Sequence, residues 1–90
     1  MSTVRIPPVL RAAAGGEKTV SVDGATVGQV LGSLADRYPA LRDQLFAPDG
    51  TLNRFVNVYV DGRDVRYEQG LDTAVAPHDT VIVLPAMAGG

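Results

Sequence analysis

Val27-Gly28-Gln29-Val30-Leu31-Gly32-Ser33-Leu34-Ala35-Asp36-Arg37-Tyr38 is the stretch whose spacing decides the fold. Its apolar members Val27, Val30, Leu31, Leu34, Ala35 and Tyr38 recur at i, i+3, i+4, i+7, i+8 and i+11, a single stripe along one side of a helix. Thr26, with Gln29 three residues on, predicts a capping box at the start, and Pro39 disfavours helical geometry at Tyr38 and so predicts the end. Gly28 and Gly32 each weaken the helix by up to ~1 kcal/mol, so packing against the rest of the chain must hold it. Residues 41–46 can add one more helical turn before the loop Ala47-Pro48-Asp49-Gly50.

On either side of the helix the period changes to two. Thr3-Val4-Arg5-Ile6 and Lys18-Thr19-Val20-Ser21-Val22 alternate polar with apolar, as half-buried strands do, and Gly15-Gly16 between them suits a turn. Pro7 and Pro8 lack backbone donors, so the first strand either stops near Ile6 or runs on as an irregular extended segment to Leu10; the extended continuation is the expectation. After the helix, Arg54-Phe55-Val56-Asn57-Val58-Tyr59-Val60 puts three valines on one face and Phe55, Asn57 and Tyr59 on the other. Asp61-Gly62 is a hairpin turn leading into a short strand at residues 64–67, and residues 68–78, aperiodic and holding Gly70 and Pro77, read as loop. Thr80-Val81-Ile82-Val83-Leu84 is apolar throughout after its first residue. Two hairpins around one helix, closed by an apolar last strand, predict a two-layer α+β domain with a single helix across one face of a mixed sheet. The order ββαββ matches a β-grasp, or ubiquitin-like, fold, in which the last strand lies centrally beside the first.

Composition removes most function classes. Ninety residues, 46% hydrophobic and 20% charged, make one domain with a thin core and little room for an enclosed cleft. A net charge of −2 does not supply the cationic field that nucleic acid demands. No apolar run approaches the ~20 residues of a membrane span, and the amino terminus lacks a signal-like pattern, so a cytoplasmic chain is expected. Without cysteine there is no disulfide, thiolate nucleophile or thiolate metal site, and a lone histidine, His78, excludes histidine-pair zinc binding. The ten carboxylates are scattered over loops and helix faces, and no serine sits in a nucleophile-elbow context. Neither catalytic side chains nor a bound cofactor are expected.

What remains is the segment Pro85-Ala86-Met87-Ala88-Gly89-Gly90, expected as a flexible tail (85–90) on a domain of residues 1–84. At average glycine usage a chain ends in Gly-Gly about 0.5% of the time, so its context must carry the argument. The tail follows a central strand, has no charged side chain, and starts at Pro85, whose fixed φ is expected to project it from the body. Its six residues reach up to ~20 Å when extended. Glycines without Cβ can thread a narrow channel in a partner enzyme. The reactive group thus delivered is the Gly90 carboxylate, a poor electrophile until activated, as by adenylation with ATP.

Val56-Asn57, Asp79-x-Val81 and Pro85-x-x-Ala88-Gly89-Gly90 resemble the ubiquitin-like sulfur carriers of the MoaD/ThiS type, which include the molybdopterin-synthase small subunit and the thiamine sulfur carrier. Ile6-Pro7-x-x-Leu10-Arg11, Gly15-Gly16, Arg54-Phe55-Val56-Asn57-x-Tyr59-Val60 and Leu84-Pro85-Ala86-x-Ala88-Gly89-Gly90 look most like the carriers of actinobacterial cysteine biosynthesis. The resemblance spans nearly the whole chain. Pro77-His78-Asp79 departs from the Asp-Gly-Asp of many relatives and bears on the geometry of that turn alone.

The resemblance implies a carrier, not an enzyme. An E1-like enzyme would adenylate Gly90 with ATP, and sulfur would displace AMP to give a thiocarboxylate. That group would then donate sulfur to an acceptor of the cysteine-synthase or thiazole-synthase-like kind. In the cysteine route a zinc metalloprotease would release the product. The free carrier is expected to be a monomer. Its expected docking surface is Phe55 and Tyr59 with Ile82 and Leu84 on the open sheet face, unless residues 68–78 cover that edge. Arg54, Arg63 and Arg66 rim it and are read as solubilising charges. The alternatives are a molybdopterin-synthase subunit, a ubiquitin-like modifier ending in an isopeptide bond, and an interaction module with an inert tail.

Overall fold

The stripe builds the helix it predicts. In the computed structural model, which describes residues 1–86, α1 (Val27–Arg37) buries Val27, Val30, Leu31, Leu34 and Ala35, and Tyr38 packs against the same core. Thr26 Oγ1 accepts the Gln29 N–H at 3.2 Å, while Gln29 Oε1 accepts the Ala25 N–H at 2.8 Å. The box thus closes one residue further out than its usual form, satisfying one free donor of the helix start, the Gln29 N–H, and the Ala25 N–H just before the cap. After Pro39 the chain makes a 3-10 turn (Pro39–Leu41) and a short helix α2 (Arg42–Leu45), which add Leu41 and Leu45 to the helical layer.

Five strands form the other layer: β1 (Ser2–Arg5), β2 (Thr19–Val22), β3 (Val56–Val60), β4 (Arg63–Asp64) and β5 (Thr80–Pro85), in the order β2-β1-β5-β3-β4. The last strand is central, parallel to β1 and antiparallel to β3, as the β-grasp reading requires. Register lines up Val20, Val4, Val81 and Val60 in one row across four strands, and Val58 beside Val83 in the next. All six are buried under α1. Burying each such side chain contributes about 1.5–3 kcal/mol, which offsets the two helix glycines.

Two expectations are corrected, and one alternative left open by the sequence is decided. Beyond Ile6 the chain does not stay extended: Pro8–Leu10 and Ala12–Ala14 are 3-10 turns, with the Leu10 N–H donated to Pro7 O at 3.0 Å. Proline suits this, since its preset φ fits a first helical turn where no N–H is needed, and the turn drives Leu10 into the core. Gly15 and Gly16, with φ of 66° and 84°, then reverse the chain. Secondly, the strand expected at residues 64–67 ends at Asp64. Its carboxylate accepts the Arg66 N–H at 2.9 Å and turns Val65–Tyr67 into a 3-10 helix. Thirdly, residues 68–78 do not cover the open sheet face. They pack on the start of α1, where the Val27 N–H donates to Thr73 O at 2.9 Å and the Val75 N–H to Ala25 O at 3.0 Å. Gly28 makes this possible: a Cβ there would lie 3.2 Å from Leu71 O.

The Asp61-Gly62 turn has φ of 50° and 85°, the paired positive values of a type I′ hairpin. Pro77-His78 sits in a turn closed by the Asp79 N–H donating to Ala76 O at 3.0 Å and the Ala76 N–H donating to Asp79 Oδ2 at 2.7 Å. His78 is exposed. No helix among the described residues is long and apolar enough to cross a membrane.

Candidate functional site

Parity along β5 divides its apolar side chains. Val81 and Val83 point to the helix and are buried, which leaves Ile82 and Leu84 on the other face. Ile82 stands beside Tyr59 of β3, and Leu84 beside Asn57. Phe55, just before β3, is 55% exposed and Leu84 43%, while Tyr59 and Ile82 are half-buried by their neighbours. The structure therefore brings Phe55, Tyr59, Ile82 and Leu84 together on the uncovered face, at the end of the sheet where β5 leaves it.

Pro85 and Ala86, expected in the tail, are still held by the sheet. Pro85 pairs with Val56, and the Ala86 N–H donates to Phe55 O at 2.8 Å. Extended backbone accommodates the φ of proline, so Pro85 continues the strand instead of turning the chain away. Met87, Ala88, Gly89 and Gly90 lie outside the described residues.

Phe55 is positioned by groups that the sequence pattern did not single out. Asn53 Oδ1 accepts the Phe55 N–H at 2.8 Å, Asn53 Nδ2 donates to Asp43 O at 3.1 Å, and the Asn53 N–H donates to Leu45 O at 2.9 Å. One asparagine thus ties the root of β3 to α2. The available signal was the habit of asparagine to bond the backbone two residues on. The Arg54 guanidinium lies 5.1 Å from the centre of the Phe55 ring, a cation–π contact of about 0.5–1 kcal/mol at an exposed site.

The three rim arginines are not alike. Arg66 donates to Asn57 Oδ1, to Val56 O at 2.7 Å and to Asn53 O at 3.4 Å, so it fastens the start of β3 and is more than a solubilising charge. Arg63 makes an exposed 3.4 Å ion pair with Glu68, worth little. Between residues 46–53 and Phe55 lies a concavity of about 420 Å³, walled by Phe46, Pro48 and Leu52.

Two exposed carboxyls are held below the ordinary aspartate value. Asp61 is lowered by the Thr80 N–H donating to it at 3.1 Å and then by hydrogen bonding with Asp79, and Asp49 by the Thr51 hydroxyl at 2.7 Å. Both act as turn clasps, Asp61 at the end of β5 opposite Leu84 and Asp49 in the loop that walls the concavity beside Phe55. Among the described residues, no three His, Asp or Glu side chains gather as a metal-ligand set.

Comparison with known proteins gives this geometry its context. The sulfur carrier protein CysO of Mycobacterium tuberculosis is 48% identical over 90 residues, spanning 98% of this chain and 97% of that protein. A crystal structure of Mycobacterium tuberculosis CysO superposes with a TM-score of 0.90 at 45% identity, over 97% of this chain and 100% of that one. The Amycolatopsis orientalis BexX/CysO complex contains a chain that superposes at 0.91 with 42% identity, covering 100% of both. Haloferax volcanii SAMP1 superposes at 0.83 with 33% identity, over 99% of this chain and 98% of its own. The ThiS family pattern matches residues 4–90, from the first strand through the diglycine, and this chain belongs to the ThiS family.

Proposed function

We propose that this chain is a sulfur carrier whose reactive group is the carboxylate of Gly90. The observation that carries the reading is the end of β5: a core strand runs out at Pro85 between exposed Phe55 and Leu84, so residues 87–90 begin at an apolar landing surface. A partner seated on Phe55, Tyr59, Ile82 and Leu84 would receive the last residues at a fixed point, and residues 85–90 would enter its active site. The domain acts as an address and the terminus as the cargo site. Catalysis belongs to partner enzymes, as in the family at large.

The chemistry follows from the carboxylate. An E1-like enzyme would bring ATP; a Gly90 oxygen attacks the α-phosphorus and pyrophosphate leaves, giving an acyl adenylate. Hydrosulfide then adds to the carbonyl carbon, the bond to the AMP oxygen breaks, and loss of a proton leaves a thiocarboxylate. ATP is used by the partner, and the carrier itself binds no cofactor or metal in this scheme. The similarity to CysO favours an acceptor of the cysteine-synthase kind, in the cytoplasm, with a metalloprotease releasing the amino acid. The BexX/CysO complex supports presentation to a second folded protein, which leaves room for other acceptors, including a thiazole-synthase-like enzyme.

ATP–pyrophosphate exchange tests the first step. With an E1-like enzyme, the intact chain should support exchange and a chain lacking Gly90 should not, while both melt alike. Exchange that persists without Gly90 contradicts the proposal. The similarity to SAMP1, a small archaeal modifier protein, supports a second use of the same activated terminus, an isopeptide bond to a lysine, which peptide mapping would identify by its branched fragment.

A further inference from the structure

The uncovered face is not uniform. Arg5, at the end of β1, stands beside Ile82 in register, on the side of β5 away from Phe55. The Lys18 carbonyl accepts the Ile6 N–H at 2.8 Å, so Lys18 lies across from Ile6, one step beyond the Arg5–Thr19 pair at the same end of the sheet. The Arg11 Nε–H donates to Ile6 O at 3.1 Å, which turns the guanidinium toward the same place. Together they wall a groove of about 410 Å³ whose floor includes Pro7, Ile82 and Leu84. Among the described residues, no carboxylate lines this groove, and Arg5, Arg11 and Lys18 form no ion pair, unlike Arg42 with Asp36 and Arg63 with Glu68. At the opposite end of β5, Asp61 accepts the Thr80 N–H, Asp79 accepts the Ala76 N–H, and Asp23 follows β2. A chain of net charge −2 therefore turns a positive end toward whatever meets the end of β5.

We propose that this groove is a second docking element, which takes an acidic strip of the partner, carboxylates against Arg5, Arg11 and Lys18 with an apolar side chain over Leu84. This rests on the carrier reading and extends it, because the groove shares Ile82 and Leu84 with the apolar surface. One partner can cover both. The three cations are exposed or half-exposed, so they act chiefly on encounter: they steer the right end of the carrier toward an acidic site and disfavour approach by the aspartate end. Apolar contact then holds what the charges have aligned.

The groove is read first without an enzyme. In an amide-shift titration of the full chain, a capped peptide of Asp and Glu around one Leu should move Arg5, Arg11, Lys18 and Leu84, and the same peptide with Lys for its acids should not. Equal response to both peptides, or to neither, overturns the groove. Its use by the partner is read with the activating enzyme. R5Q/K18Q, two exposed changes that leave the melting curve unchanged, should raise the KM for the carrier about tenfold at about 0.03 M salt and leave kcat alone. Raising salt to about 0.3 M should raise the wild-type KM and barely move that of the variant. An unchanged KM with unchanged salt dependence contradicts the proposal while leaving adenylation of Gly90 intact. A wild-type chain that is never adenylated contradicts the carrier reading instead, and the peptide titration still decides the groove.

Discussion

The two faces of β5 are made of similar residues and put to different uses. Val81 and Val83 complete rows of valines under α1, while Ile82 and Leu84, equally apolar and one residue along, face outward beside Tyr59 and Asn57. In a small domain the inner face supplies the stability, since a thin core must use every side chain it has. The outer face is apolar without being needed for the core. On the proposed function, this apolar surface beside the end of β5 is what a partner would meet.

Substitutions can break that division, beginning with the largest expected effect. Leu34→Ala, which opens a cavity on the inner side, should lower unfolding free energy by about 2–5 kcal/mol in a denaturant titration. Leu84→Ser should change stability by under ~0.5 kcal/mol. A Leu84→Ser loss approaching that of Leu34→Ala would mean that the outer face is core after all. Phe55→Ala should weaken partner docking by about 2 kcal/mol, roughly thirtyfold in Kd by calorimetry, with melting nearly unchanged. Equal affinity for wild type and variant would remove Phe55 from the landing surface. Arg66→Ala sharpens the comparison because Arg66 belongs to both sides: by releasing Val56 O and Asn57 it should cost about 1–2 kcal/mol of stability and weaken docking too. A purely solubilising arginine would show neither effect.

The smallest effect is on pH. Asp61 and Asp49 have folded-state values below their ordinary 3.8, so the stability they contribute is present above that value and is lost as pH falls through their folded values. Denaturant midpoints should therefore drop below about pH 4, and the double variant Asp49→Asn, Asp61→Asn should show a shallower drop. Asparagine tolerates the positive φ at position 61, so the turn survives the change. Wild type and variant with the same slope would show that the Thr80 and Thr51 hydrogen bonds do not hold these carboxyls.

Local periodicity made much of this legible. The i, i+3, i+4 stripe gave α1 with its buried residues, and alternation gave the faces of β3; β5 is apolar on both faces, and it was the family resemblance that turned Val81 inward and so Ile82 and Leu84 outward. An apolar last strand pointed to a central position, which the register with β1 and β3 shows. What sequence could not supply was the identity of neighbours far along the chain. The path of residues 68–78 over α1 depends on a meeting of Gly28 with Leu71, and the hold on Phe55 depends on Asn53 finding α2 and on Arg66 finding β3. Residues 7–10 were misread because two prolines are compatible with extended chain and with the first turn of a helix alike; burial of Leu10 decides between them. Pro85 was read as an exit for a related reason. A missing N–H does not end a strand whose next residue, Ala86, still donates to Phe55.

The central claim is that Gly90 carries the sulfur, and intact-mass spectrometry tests it most directly. After incubation with ATP, an E1-like enzyme and sulfide, the account predicts a mass gain equal to one oxygen replaced by one sulfur, located in the C-terminal fragment and absent when Gly90 is deleted. An unchanged mass, or sulfur found elsewhere on the chain, would contradict it.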